Sequence, residues 1–357
     1  LWTGSICIYP HNTRTWDGGG GDELASNPTN WDTDVLPVPG DLIILNTTSH
    51  KSMTWNLNLP VQNWTQVGYL GTVTVATVYG NIGFTNFTIL GHCVISNGLW
   101  THAVNVASEV SRFSATIRSN MVVGSNAAID VTDKGYTFRT GPGTLPGDNA
   151  GSYGGYAWNG GPCYGSIVAP ANIGSGGRES HGGGAIRLAV GGTSRNDGLI
   201  CSDGGPSSWG SGSGGSIWIT AGALTGSGTN RANGGRASAG PNRAAGGGRI
   251  ALTVTNTGVD FSGFTGSNTT FSGGPGGCAG TIYREKKADA GRGELIVNNL
   301  GGYIGYAVRN TDFSGLEAVT YDFARITLTN GGNISIGSND MLIATNDALV
   351  GVGVGGN

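Results

Sequence analysis

Charge is scarce in this chain. Only 11% of its 357 residues are Asp, Glu, Lys or Arg, and four lysines stand against fifteen arginines. The formal net charge is −3 with no basic stripe, which argues against a nucleic-acid partner. No apolar run approaches the roughly 18 residues a bilayer crossing needs, so no membrane span is expected. Leu1–Pro10 carries no signal-peptide pattern. Amphipathic helices are missing as well, with none of the usual start and stop residues. The five cysteines (Cys7, Cys93, Cys163, Cys201, Cys278) show no CxxC or other metal-ligand spacing. Their odd number leaves at least one unpaired within the chain; one or two disulfides are allowed and their connectivity is open. His11, His50, His92, His102 and His181 are scattered, without H-E-x-x-H or triad spacing.

What is abundant is glycine, 68 residues, in runs that recur in phase with short apolar strands. GGGAIRLAV at Gly182–Val190 is followed by GGSIWIT at Gly214–Thr220, GGGRIALTV at Gly246–Val254 and GGCAGTIY at Gly276–Tyr283. The central isoleucines, Ile186, Ile217, Ile250 and Ile282, lie 31, 33 and 32 residues apart. A period of that size marks stacked repeats, because one unit cannot bury its apolar face alone and neighbours can. Ser216, Trp218 and Thr220 alternate with Ile217 and Ile219, a strand period. A turn is expected at Ala221–Ala223, then a weaker strand near Leu224–Arg231; the preceding repeat has Ile186–Val190, a turn at Gly191-Gly192, and Gly198–Ile200. The strict Gly-X-Y period of collagen is absent, and nine Trp, eleven Tyr and nine Phe argue for packed structure. The glycine runs are therefore read as ordered loops able to pack as polyglycine-II-like rods, and not as flexible linkers.

In chain order, residues 1–40 read as a loop-rich N-terminal segment with a possible strand at Ser5–Tyr9. Residues 41–135 form a first β-solenoid part, with strands expected at Asp41–Asn46, Ser52–Leu57, Gly71–Val78, Asn86–Ile95, Ala103–Val110, Arg112–Arg118, Met121–Val123 and Ala128–Thr132. Residues 136–177 are a Gly/Tyr-rich transition containing Tyr153, Tyr156, Trp158 and Tyr164. Residues 178–285 hold the repeats. Residues 286–357 continue as looser solenoid, with strands at Glu294–Asn298, Tyr303–Val308, Ala318–Asp322, Arg325–Thr329, Asn333–Ile336 and Met341–Ala344, ending in a Val/Gly alternation.

Two segments, Thr15–Leu45 with its continuation KSMTWNL and GYLGTVTV, and Tyr164–Val254, resemble secreted bacterial surface proteins of the glycine-rich β-solenoid, adhesin-like type. The resemblance covers about half of the chain and carries no catalytic motif. It implies an all-β, right-handed parallel β-helix with ordered glycine-rich loops, located outside the cell or on its surface.

Candidate chemistry is thinner. Arg178-Glu179-Ser180-His181 is the densest polar cluster of the glycine region and is read mainly as a solvated loop tip. Arg231, Arg236, Arg243 and Arg249 either line an anionic-glycan groove or, the favoured reading, bind loop carbonyls. Asp130/Asp133 or Asp197/Asp203 would be the paired carboxylates for glycoside hydrolysis, and all four lie at strand ends or turns, where Asp is common anyway. No cofactor is expected; the acidic opening (Asp17, Asp22, Glu23, Asp32, Asp34, Asp41) has the oxygens for Ca²⁺ but no EF-hand or nonapeptide pattern. Asn46, Asn63, Asn86, Asn268 and Asn333 begin N-x-S/T sequons, candidate glycosylation sites if the host modifies its secreted proteins.

The leading functional expectation is a structural or adhesive extracellular protein without catalytic residues. It would self-associate head-to-tail into a filament, because open strand edges template further pairing. Ser5, Ile6, Cys7, Ile8, Tyr9, Leu349, Val350, Val352 and Val354 are the assembly candidates. Glycans are possible partners. The alternative is a β-helix carbohydrate-active enzyme or carbohydrate-binding module acting on acidic polysaccharide. A trimeric host-recognition fibre is a third class.

Overall fold

The computed structural model describes residues 11–80, 83–147, 149–238, 243–299, 310–314, 316, 320–345 and 349–351. The fold is all-β. Strands β1 (Thr13–Thr15), β2 (Leu42–Leu45), β3 (Met53–Trp55), β4 (Asn63–Gln66), β5 (Thr72–Val75), β6 (Phe87–Ile89), β7 (Cys93–Thr101), β8 (Phe113–Ile117) and β9 (Met121–Asp130) come first. After a long stretch without described strands come β10 (Ala185–Asn196), β11 (Leu199–Cys201), β12 (Ser216–Thr225), β13 (Thr229–Arg231), β14 (Arg249–Val254), β15 (Ser267–Thr269) and β16 (Thr281–Lys286). They belong to one extended sheet that is parallel except where β16 turns back on β17 (Glu294–Asn298).

Three parallel ladders hold β1 to β16. The first joins β1, β2 and β4 to the leading parts of β7 and β9 and the trailing parts of β10 and β12. The second joins β3 and β5 to the trailing parts of β7 and β9, then β11, β13 and β15. The third runs β6, β8, leading β10, leading β12, β14, β16. From β6 onward the chain visits third, first and second ladder in that order, again and again; in the last repeat the first position is the single bridge Gly226–Phe264. Ile186, Ile217, Ile250 and Ile282 are direct register partners, with Phe113 next below Ile186. The 31–33-residue period is thus one pass through the three ladders.

Alternation fills the interior. In β2 to β6 every second residue is buried and its neighbours are not, as in the iBiB pattern of β2, β4 and β5 and the BiB pattern of β3 and β6. Trp16, Trp31, Trp55, Trp64 and Trp100 are fully buried and meet one after the next, and the buried Phe87 and Phe113 both pack on Trp100. Their ring centroids are 5.2–5.4 Å apart for Trp16–Trp31, Trp55–Trp64 and Trp64–Trp100, each edge-to-face. Gln66 is buried beside them and its Oε1 accepts from Trp64 Nε1 (3.3 Å) and Trp100 Nε1 (2.8 Å). Toward the C-terminal side the aromatic column gives way to the isoleucines and to a buried asparagine ladder. There Asn196 Nδ2 donates to Asn230 Oδ1 (3.1 Å), and Asn230 Nδ2 donates to Asn268 Oδ1 (2.8 Å).

A second core covers the outer face of β14 and β16. Ile250, Leu252 and Val254 point into the main core, whereas Ala251 and Tyr283 point the other way. They meet Leu295 of β17, Phe313 just after β18 (Thr311–Asp312), Tyr321 and Phe323 of β19 (Thr320–Phe323) and Ile326 of β20 (Arg325–Thr329). The remaining strands, β21 (Ile334–Ser335), β22 (Met341–Ala344) and β23 (Leu349–Gly351), pair in parallel with β18, β19 and β20.

The glycine runs are neither strand nor flexible tether: Gly174–Gly177, Gly182–Gly184, Gly210–Gly215 and Gly246–Gly248 are buried. Their backbone groups bond between segments: Gly174 N–H to Gly183 O (2.8 Å), Gly183 N–H to Ser213 O (2.8 Å), Gly214 N–H to Gly246 O (3.1 Å) and Gly154 N–H to Gly247 O (3.0 Å). Extended segments that bond laterally are what polyglycine-II-like packing requires. A Cβ at Gly248 would run into the Gly215 carbonyl, and one at Gly214 into the Ala232 carbonyl, so these two positions admit no side chain.

Several expectations need correction. Ala103–Val110 is not a strand: the buried Asn105 holds it as a loop, accepting from Val110 and Ser111 N–H and donating to Ser111 O and Lys134 O. The turns expected at Gly191-Gly192 and Ala221–Ala223 lie inside continuous strands, where a register shift between Val190 and Thr193 carries the chain from one ladder to the next. Met121–Val123 and Ala128–Thr132 merge into β9. The short β1 and β4 were not anticipated. Ser5–Tyr9 and Tyr303–Val308 lie outside the described residues.

Candidate functional site: a cation–aromatic rim

The glycine segments turn at exposed tips on one edge of the molecule, and side chains of unlike repeats meet there. Trp209, 45% exposed, carries two guanidinium groups over its ring: Arg243 Cζ is 3.6 Å and Arg178 Cζ 5.2 Å from its centroid. Phe138, 52% exposed, packs on His181 at 4.8 Å. The tips are laced together. Glu179 Oε2 accepts from Ser207 Oγ (3.2 Å), Ser208 and Ser238 hydroxyls are 3.0 Å apart, and Arg243 Nη1 donates to Ser208 O (3.3 Å). Asp133 Oδ1 accepts the His181 backbone N–H (3.0 Å), and Arg236 O accepts from Ser207 N–H (3.1 Å) and Ser211 Oγ (2.9 Å). Ser207 and Ala237 form a parallel bridge, so the tips step along the stacking direction as the strands do.

Sequence reasoning placed Arg178, Glu179 and His181 together and the structure keeps them so, in a turn closed by Gly177 N–H to Ser180 O (2.9 Å). It missed Trp209 and Phe138. A large aromatic inside a Ser/Gly tip was the available signal, because such a tip has no core to bury it in.

The four repeat arginines do not share one groove. Arg231 pairs with Asp203 at 2.6 Å, Arg236 is exposed, Arg243 stacks on Trp209, and Arg249 is fully buried. Arg249 Nε donates to Tyr164 O (3.0 Å) and Nη1 to Thr281 Oγ1 (3.0 Å), below the Tyr153 ring at 5.5 Å. Burial lowers its pKa from the usual arginine value. Tyr153 is buried and Tyr164 half-buried, their hydroxyls bonded to Ser216 Oγ (2.6 Å) and Ile173 O (2.6 Å), so they brace the glycine region.

The carboxylates are engaged locally. Asp130 accepts from Thr132 N–H (2.8 Å), and Asp197 pairs with Arg195 at 2.5 Å and accepts from Ser227 N–H (3.1 Å). Asp203 accepts from Asn233 N–H (2.7 Å), and burial raises its pKa. In the opening, Asp17, Asp22 and Asp32 accept from the N–H groups of Gly19, Leu24 and Thr15, and Asp41 pairs with Arg14 at 3.0 Å. The oxygens of Gly18, Gly20 and Asn30 enclose the Lys51 ammonium at 3.1, 2.5 and 3.3 Å, so an internal cation occupies that cage. Among the described residues no group of three or more His, Cys, Asp or Glu is arranged to hold a metal ion.

Cys93, Cys163 and Cys201 are buried free thiols, so the disulfides the cysteine count allowed do not form among them; Cys278 is buried too. Burial pushes Cys163 up to about 11 and Cys201 to about 12, which keeps both protonated. His102 is buried, its Nδ1 bonding Ala103 O (2.7 Å) while Nε2 accepts the Ala185 N–H (3.2 Å); burial lowers its pKa to about 4.

All five sequon asparagines are half-buried. Asn63 accepts from His92 N–H (2.7 Å), Asn86 bonds Thr88, Ser114 and Thr116, and Asn268 ends the asparagine ladder. Of the assembly candidates, Leu349 and Val350 lie in β23, paired with Ile326 and Thr327 of the same chain. Ser5, Ile6, Cys7, Ile8, Tyr9, Val352 and Val354 lie outside the described residues. A cavity of about 490 Å³ opens where β16 turns into β17, lined among others by Asp260, Arg284, Lys286, Asp289, Glu294 and Arg325. Its charges are largely paired: Arg284 with Glu294 at 2.6 Å and Lys286 with Asp289 at 3.8 Å. No helix among the described residues is long and apolar enough to cross a membrane.

No protein-family model, curated protein or solved structure matches this chain.

Proposed function

We propose that this chain is a structural and adhesive protein of the extracellular surface, built as a right-handed parallel β-helix that self-associates end to end. The observation that carries the reading is the repeated visit to three parallel ladders in one order, with the four isoleucines in register. Such a course makes an elongated scaffold whose main-chain bonds run along its axis. The packed glycine segments stiffen one side of it and hold a rim of rigid tips toward solvent, the arrangement an adhesive surface needs. The resemblance of Thr15–Leu45 and Tyr164–Val254 to secreted surface solenoids supports the location. Among the described residues β1 and β23 each pair with one strand, and in the proposed assembly the second edge of each goes to a neighbouring subunit.

The test is immunogold labelling of source cells combined with electron microscopy of the purified protein. Label on the cell exterior and rods or filaments one molecule wide are expected. Label confined to the interior, or compact particles, overturns the reading. A second reading, a carbohydrate-active β-helix protein acting on acidic polysaccharide, is favoured by Trp209 and its two guanidinium neighbours. Uronate polymers incubated with the protein would then yield the absorbance of an unsaturated product; a flat trace across the panel removes the lyase form of it.

A further inference from the structure

We infer that the rim formed by Phe138, Arg178, His181, Trp209 and Arg243 binds a linear, carboxylated polysaccharide. This deepens the adhesive reading by naming the ligand class, and it concerns a surface that stands whether or not the chain forms filaments.

Three observations converge on it. Trp209 and Phe138 keep 45% and 52% of their surface open beside buried glycine segments, so two aromatic rings, each packed on one side by Arg243 or His181, reach solvent. Flat apolar faces of this kind match the C–H faces of pyranose rings, as aromatic platforms match other planar or ring-shaped ligands. The guanidinium groups of Arg178 and Arg243 lie over the same indole, Arg178 also 3.9 Å from Glu179, and Arg236 sits exposed on the neighbouring tip, against the carboxylates of Glu179 and Asp133. Arginine forks match carboxylates in bidentate geometry, and stacking on the ring holds them in place before a ligand arrives. Finally, the tips follow one another along the stacking direction, as the Ser207–Ala237 bridge and the Ser208–Ser238 contact record, so Arg236 and the Arg178–Trp209–Arg243 cluster lie on adjoining tips. A chain of repeating acidic sugars meets such a row at many points, where a single sugar meets one.

A nucleic acid also carries rings and negative charge, but here the guanidinium groups are few and the whole chain is net negative. The observations therefore favour a carboxylated sugar polymer over a polyphosphate backbone.

The experiment is titration of the full chain with polygalacturonate, with dextran as neutral polymer and single-stranded DNA as competing polyanion. It is followed by calorimetry and by tryptophan fluorescence. Binding of polygalacturonate with a change in Trp emission is expected, with dextran silent and DNA at least tenfold weaker. Trp209→Ala and Arg243→Ala should each weaken binding at least tenfold without moving the melting temperature, while Arg118→Ala, away from the rim, should leave it unchanged. Equal binding by the two rim variants, response to dextran, or DNA binding as tight as polygalacturonate would overturn the inference. No binding of any polymer would overturn it too, and would leave the scaffold reading to be judged by microscopy alone.

Discussion

Trp64 sits where five demands coincide: it is fully buried, it meets Trp55, Phe87 and Trp100 edge-on or nearly so, and its Nε1 donates to Gln66. Trp64→Ala leaves a cavity that the rigid column around it cannot close, and a loss of about 3–5 kcal/mol is expected from the urea midpoint. His102 carries a pH dependence. Its folded pKa is lowered to about 4, below the unfolded value near 6.5, so the folded state holds it neutral. Its contribution is full above about pH 6.5 and is lost as pH falls toward 4, on the order of 3 kcal/mol in all. His102→Gln keeps a donor and an acceptor without the titration; unfolding curves at pH 7.5 and 4.5 should differ less for it than for the native chain. A native chain equally stable at both values, with the variant no different, contradicts this.

At the scale of elements, the glycine segments are the feature whose loss is most informative. Their backbones approach so closely that Gly248 has the Gly215 carbonyl where a Cβ would lie. Gly248→Ala is expected to cost about 1–3 kcal/mol by overpacking, whereas an alanine in a flexible tether would be neutral or slightly stabilising. The asparagine ladder makes a matching prediction. Asn230→Ala removes one of the two acceptors of the buried Asn196 amide and the donor to Asn268 Oδ1, and a loss of about 1–3 kcal/mol in all is expected in the same assay. The strands themselves were legible where the alternation was apolar, as in Leu42–Leu45, Glu294–Asn298 and Arg325–Thr329. β4, Asn63–Gln66, was not, because its inward residues are a tryptophan and a glutamine, and a buried Gln reads as surface until its two indole partners are known. Ala103–Val110 was mistaken for a strand because the Asn105 bonds that hold it as a loop reach to Ser111 and Lys134, beyond any local pattern.

At the scale of the whole molecule, stacking is the organising interaction, and the proposed end-to-end association is tested at the ends of the stack. The mass by light scattering is expected to rise with protein concentration as β1 and β23 find partners on other copies. A single-chain mass over a hundredfold dilution series would refute end-to-end assembly while leaving the ladders intact. The candidate site is a property of this scale too. Arg178, Trp209 and Arg243 are separated by 31 and 34 residues, close to one repeat each, so the same periodicity that aligns the isoleucines brings the three tips side by side.

The amino-acid order by itself determined that this is a repeating all-β chain with a 31–33-residue unit, that the four isoleucines are equivalent, and that the glycine runs are structural. All of these follow from periodicity, which is a local and countable property. Tertiary structure alone decided which arginine is buried and which lies on an indole, and that the opening's oxygens surround Lys51. It also decided that β16 turns back to build a second core. Those outcomes depend on which side chains of different repeats come within a few ångströms of each other, and contact across repeats is set by packing and desolvation, to which no single stretch of sequence has access.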